Sequence, residues 1–200
     1  GFGDIAKIIV SFVAGFTLVI IGNIFMQRRT LELLVQETDT RDEAKEGIKL
    51  IKSAGIKPIM ITGDAIDTAT SIAREVGLID INNNMVLDSN MLAQMNDDEI
   101  KRNLSKIAVI ARALPQDKSR MVNIIESMDL VVGMTGDGVN DAPALKKANV
   151  GFAMGSGTEV AKEAADIVIL DNNILSISKA ILYGRTIFKS IRKFIIYQLT

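Results

Sequence analysis

From about residue 41 onward, stretches with apolar positions every three or four residues alternate with short all-apolar runs, and each run closes on Gly, Asp or Thr. The first pattern marks a helix with one buried face; the second marks a strand buried on both sides, as in a parallel sheet. Arg41 to Ala54 reads as a helix stopped by Gly55, and Pro58 to Thr62 as a buried strand. Ala65 to Val76 returns as a helix stopped by Gly77, Met85 to Leu87 reads as a short strand, and Asn96 to Glu99 as a helix start. Strands are then predicted at Ile107–Ala111, Leu130–Met134, Val150–Met154 and Ile167–Leu170. Helices are predicted at Gln116–Met128, Asn140–Lys147, Glu159–Ala165 and, as one long element, Ile174–Tyr197. This alternation predicts an α/β fold, a parallel Rossmann-like sheet flanked by helices.

The two ends read differently. Ile8 to Met26 runs 19 residues without a charge and is followed by Arg28 and Arg29. That length is enough for a transmembrane helix, and the arginines place the following segment in the cytoplasm. A buried helix of a soluble protein is the competing reading; a cleaved signal peptide lacks its basic start and small-residue cleavage pattern. The expected organisation is an N-terminal membrane segment over 1–36, an α/β domain over 37–178, and a stalk over 179–200 leading into a membrane helix. Lys179, Arg185, Lys189, Arg192 and Lys193 follow the last acid, Asp171. Their helical spacing suits anionic lipid headgroups, with Phe194 to Leu199 apolar beyond them, better than a nucleic-acid face.

Overall charge changes little, since 23 Lys+Arg face 24 Asp+Glu and the net charge of −1 gives no reason to expect nucleic acid. The absence of cysteine and histidine matters more: any metal must be held by oxygen, which favours magnesium or calcium.

Candidate chemistry lies in three loops that follow strands: Thr62-Gly63-Asp64, Ala111 to Lys118, and Thr135 to Asp141. In an open parallel sheet such loops converge on one crevice, so Thr62, Lys118, Asp137 and Asp141 are expected to meet. A threonine hydroxyl and glycine N–H groups can hold phosphoryl oxygens, a lysine can neutralise developing charge, and paired carboxylates can hold magnesium. Singly, each loop is an ordinary turn; together they describe a phosphoryl-transfer site without a nucleophile.

The runs Met60-Ile-Thr-Gly-Asp64, Ala111-Arg-Ala-Leu-Pro-Gln-Asp-Lys118 and Gly133-Met-Thr-Gly-Asp-Gly-Val-Asn-Asp-Ala-Pro-Ala-Leu-Lys146, in that order, resemble the haloacid-dehalogenase-like phosphorylation domain of P-type cation-transporting ATPases. Gly155 to Asn173 continues the likeness, and Gly184 to Phe194 resembles the stalk before the fifth membrane helix. The wording is closest to calcium and related alkali-cation pumps. The resemblance implies Mg2+ as cofactor and ATP as substrate. It implies that Thr62 contacts the phosphoryl group, that Gly63 and Asp64 lie beside ATP, and that Arg112 binds nucleotide. Lys118 would neutralise charge and Asp137 ligate magnesium, with Asn140 and Asp141 completing that cluster. Implied partners are a transported cation, calcium by the motif wording, membrane lipid, and the remaining parts of a pump, with the domain facing the cytoplasm from an integral membrane position.

The D-K-T-G-T motif that carries the phosphorylated aspartate of such pumps is absent, and Thr38-Asp39-Thr40-Arg41 stands where D-P-x-R is expected. The sequence therefore predicts a sheet lacking its central strand, with that strand's neighbours apart or joined by something else, and a chain inactive alone. The alternative is a membrane-anchored pseudoenzyme that binds magnesium and nucleotide and regulates or complements an intact pump. A third reading, a phosphatase using Asp39, is opposed by the polar run Gln36 to Asp42, which is no buried strand.

Overall fold

The computed structural model describes residues 31–35 and 41–199. The expected membrane helix at 8–26 and the segment around Asp39 lie outside the described residues.

Residues Arg29–Ser178 form one compact unit. Its described elements run β1 (Leu31–Val35), α1 (Arg41–Ser53), β2 (Lys57–Ile61), α2 (Ile66–Glu75), β3 (Met85–Asp88), α3 (Ser89–Gln94), α4 (Asp97–Asn103) and β4 (Ile107–Ala111). They continue with α5 (Pro115–Glu126), β5 (Val131–Gly136), a 3-10 turn at Val139–Asp141, α6 (Ala142–Lys147), β6 (Val150–Met154), α7 (Glu159–Ala164), β7 (Ile167–Ile169) and the start of α8 (Ile174–Leu199). The seven described strands form one parallel sheet in the order β3-β4-β2-β1-β5-β6-β7. The α/β class and the parallel sheet agree with the pattern of apolar runs.

Of the two expectations for the centre of the sheet, neighbours apart or joined by something else, the structure has the second, and the joining element is a strand. β1 sits between β2 and β5, aligning Leu34 with Ile59 on one side and Met134 on the other. Its five residues fall within the stretch that the sequence assigns to the N-terminal segment. A short pentapeptide, apolar but for Glu32, next to Arg28-Arg29-Thr30 carries no turn signal to mark it as a strand. Its place is set by two long apolar neighbours that each need a parallel partner, which periodicity along the chain does not reveal.

The flanking strands explain why the sheet is covered on both faces. All five residues of β4 are fully buried, and Pro58 to Ile61 of β2 are buried as well. Met121, Val122, Ile124 and Ile125 of α5 join Ile59, Ile61, Ile107, Ile110, Val132 and Met134 in one apolar cluster. On α1, Ile48 and Ile51 are buried three residues apart, while Leu50 is exposed. The helix stops behave as their sequences predict. Gly55 and Gly77 take φ values of +73° and +76°. Each glycine N–H bonds back three residues, and the residue after it five, to the ends of α1 and α2.

From Lys179 to Leu199, α8 belongs to a second unit. Within it α8 exposes Phe194, Ile196, Tyr197 and Leu199. Among the described residues no helix is long and apolar enough to cross a membrane, α8 included.

Candidate functional site

Three loops leave the carboxyl ends of β2, β4 and β5, and their sequences decide how they are held. After β2, the Thr62 hydroxyl donates to the Asp64 carboxylate at 2.7 Å, and the Asp64 N–H returns to that hydroxyl oxygen. The loop after β4 is laced to it by backbone: Arg112 N–H donates to the Asp64 carbonyl and Ala113 N–H to the Thr62 carbonyl. This lacing holds Arg112 at φ 49°, a left-handed conformation uncommon for a residue with a side chain. The Arg112 backbone is thereby held beside the Thr62-Gly63-Asp64 turn, with its side chain exposed.

Pro115 opens α5, where its missing N–H costs nothing. Asp117, one turn in, accepts from the Leu114 N–H at 2.8 Å and from the Ser89 hydroxyl at 2.7 Å. Lys118 follows on the next position, inward and only 6% exposed.

From the third loop, Asp141 reaches back under the glycines. One of its oxygens takes the Lys118 ammonium at 2.5 Å, and the other accepts from the N–H groups of Asp137 and Gly138. The close approach requires Gly136, since a Cβ there would lie 2.5 Å from that of Asp141. The Asp137 carbonyl accepts the Thr158 N–H at 2.8 Å, so this loop is also fastened to the start of α7.

These loops enclose a cleft of about 220 Å³ walled by Gly63, Ala113, Pro115, Lys118, Asp137, Gly138, Asn140 and Asp141. Of the residues predicted from sequence, Gly63, Lys118, Asp137, Asn140 and Asp141 therefore share one wall. Thr62 lies buried below it, bound to Asp64, and Asp64 and Arg112 stand exposed outside it.

Two groups on the wall have unused capacity. Lys118 has three N–H donors, and among the described residues its ammonium meets one acceptor, Asp141. The Asp137 carboxylate meets no donor among the described residues, while its N–H and carbonyl are both engaged. A buried ammonium with spare protons, sharing a cleft with a carboxylate that meets no donor among the described residues, fits a magnesium-bound phosphate. Magnesium needs only one or two protein carboxylates when water and phosphate oxygens complete its shell. The fit rests on Asp137. Asp141, expected as a second ligand, has both oxygens committed to Lys118 and the loop, and no cluster of three acidic side chains occurs among the described residues.

Sequence reasoning passed over Asp117, Ser89, Gly157 and Thr158, which shape the wall without lining it. For Asp117 a signal existed, an acid at the third position of a helix opened by proline. For Gly157 and Thr158 the relevant neighbour is Asp137, twenty residues away, and no local pattern announces it.

Comparison with known proteins agrees with this geometry. A family model for haloacid dehalogenase-like hydrolases matches residues 6–149, and a second of the same description matches 120–181. Calcium-transporting ATPase 1 of Lactococcus lactis is 46% identical over 157 residues, which are 78% of this chain and 18% of the relative. A calcium-transporting ATPase of Bacillus subtilis is 42% identical over 160 residues, 80% of this chain and 18% of the relative. Among solved structures, a zinc-transporting PIB-type ATPase in its E2.Pi state superposes with a TM-score of 0.58 at 31% identity, over 79% of this chain and 21% of that one. The chain thus spans about a fifth of the length of the proteins it matches. It belongs to the haloacid dehalogenase-like hydrolase family, as a domain homologous to part of the calcium-transporting P-type ATPases.

Proposed function

We propose that this chain supplies the magnesium- and phosphate-binding half-site of a P-type pump in which ATP hydrolysis drives a cation, calcium by kinship, across a membrane. The observation that carries the reading is the pairing on one wall of a buried lysine with spare protons and a carboxylate without a partner among the described residues. Asp137 would hold Mg2+, which when bound would offset the charge on the phosphate. Lys118 donates to the phosphoryl group with the protons that Asp141 leaves free, and Asp141 keeps that ammonium aimed. The Gly63 N–H receives a phosphoryl oxygen, Thr62, its hydroxyl proton given to Asp64, holds that turn in place against the phosphoryl group, and Asn140 borders the magnesium. Arg112 and Asp64, laced together outside the cleft, meet the nucleotide. The basic residues of α8 at 185, 189, 192 and 193 suit the headgroups of the membrane the pump occupies.

The sequence holds no D-K-T-G-T, so the attacking carboxylate comes from elsewhere in the pump and this chain alone forms no phosphoenzyme. Incubation with labelled ATP and magnesium should leave no acid-stable, hydroxylamine-sensitive label. Magnesium with ATP should nevertheless raise the melting temperature, and Asp137→Ala should abolish the rise. Stoichiometric labelling would sink the first claim, and an equal rise in the variant the second.

A further inference from the structure

The loop after β6, Gly155 to Thr158, touches the floor of the loop that carries Asp137. It is pinned on its far side by Gly155 N–H to the Ile169 carbonyl and Ser156 N–H to the Asn172 side chain. On its near side Gly157 N–H bonds to the Met154 carbonyl, and Thr158 N–H to the Asp137 carbonyl. A Cβ on Gly157 would stand 2.9 Å from the Asp137 carbonyl oxygen, 3.0 Å from the Asp137 Cα and 2.9 Å from the Met154 carbonyl oxygen. All three are backbone atoms, so no side chain can swing away, and the loop is tied too firmly behind to retreat.

We infer that Gly157 is a positioning residue for Asp137: its missing side chain lets the Asp137 backbone settle against the β6–α7 loop, and this seat sets where the carboxylate meets magnesium. The inference rests on the reading of Asp137 as the magnesium ligand. Magnesium demands near-octahedral geometry at short, nearly fixed distances, so a backbone shift of a few tenths of an ångström is felt in affinity. Calcium, with longer and more variable bonds, tolerates the same shift better.

The test titrates Mg2+ calorimetrically into the chain in the presence of inorganic phosphate, alongside urea unfolding of each variant. Asp137→Asn serves as the control for the underlying reading. Gly151→Ala serves as the structural control: its Cβ would meet the Leu145 carbonyl oxygen at 2.7 Å, an equal clash, yet Gly151 is not on the cleft wall. Gly157→Ala should weaken Mg2+ binding at least tenfold, with a smaller loss for Ca2+, while Gly151→Ala lowers the urea midpoint and binds Mg2+ as the parent does. Should Gly157→Ala fail to fold, Thr158 supplies a second probe, since its φ of −65° accepts proline. Thr158→Pro removes the N–H to Asp137 and the hydroxyl that caps α7, Thr158→Val the hydroxyl alone, so Thr158→Pro should bind Mg2+ more weakly than Thr158→Val. Unchanged affinity in Gly157→Ala, or equal affinity in the two Thr158 variants, overturns the inference while leaving Asp137 as the ligand. Equal Mg2+ binding by the parent and Asp137→Asn defeats the underlying reading, and the inference with it.

Discussion

Asp141 is 2% exposed and has every oxygen occupied, so its contribution is to hold a charge in place. Removing one member of a buried pair leaves the other uncompensated, which costs about 3–5 kcal/mol, whereas replacing both with apolar groups of similar size is often neutral. Asp141→Ala should therefore lower stability in urea by that amount, and the double change Lys118→Met with Asp141→Leu should recover most of it. If the double variant is no more stable than Asp141→Ala, the ion pair is not what holds the loop. Arg112 presents the opposite case, a residue kept in an unfavourable conformation. Its φ of 49° carries a penalty of about 1 kcal/mol that glycine escapes. Arg112→Gly should raise the melting temperature slightly and reduce the further rise produced by magnesium with ATP. A variant that melts lower than its parent would mean that the lacing of the two loops costs Arg112 no strain.

At the scale of elements, the ends of helices carry much of the local specification. Asn96 accepts the Glu99 N–H and Glu99 accepts the Asn96 N–H, both at 2.9 Å, in a reciprocal cap at the start of α4. Asn96→Ala should cost about 1 kcal/mol in urea, a loss readily distinguished from none. At the far end of α1, Lys52 reaches the carbonyls of Gly77 and Leu78 and the carboxylate of Asp80, tying that helix to the turn after α2. The hydrogen bond from Lys52 holds the Asp80 carboxyl below its ordinary range, against a smaller opposing effect of burial, with the Asn82 and Asn83 N–H groups assisting. A carboxyl lowered by folding stabilises the protein above its unfolded value near 3.8, and that contribution is lost as pH falls through the lowered folded value. Lys52→Met should shrink the loss of urea midpoint between pH 5 and pH 2, and curves of the same steepness would remove this tie from the account. These ends were the legible part of the fold. Gly55, Gly77, Pro115 and the Asn96–Glu99 spacing carry their meaning within a few residues, and so the elements from α1 to α8 follow from the chain alone, the short α3 excepted. The loops bearing Thr62, Lys118, Asp137 and Asp141 were legible for the same reason, being polar sequence directly after apolar runs. What stayed hidden depends on distant partners: the commitment of Asp141 to Lys118, the seat of Asp137 on Gly157, and the placement of β1.

For the whole molecule, β1 is the element on which the rest closes. In a central strand successive N–H groups point to alternate neighbours, so every one is needed by either β2 or β5. Leu34→Pro should therefore abolish cooperative unfolding and expose apolar surface to a hydrophobic dye. A variant that unfolds as the parent does would mean that the sheet does not depend on β1. The position of this strand also bears on how the chain reaches its fold. β1 can pair with β2 after only some twenty intervening residues, but its other side waits for β5, about a hundred residues further on. Contacts of such separation slow folding because the chain must lose loop entropy before it gains them. During synthesis the β1 side of that early pair stands open as an unsatisfied apolar edge until β5 emerges. The vulnerable moment for this protein is thus on the ribosome, before the strand that closes its centre has been made.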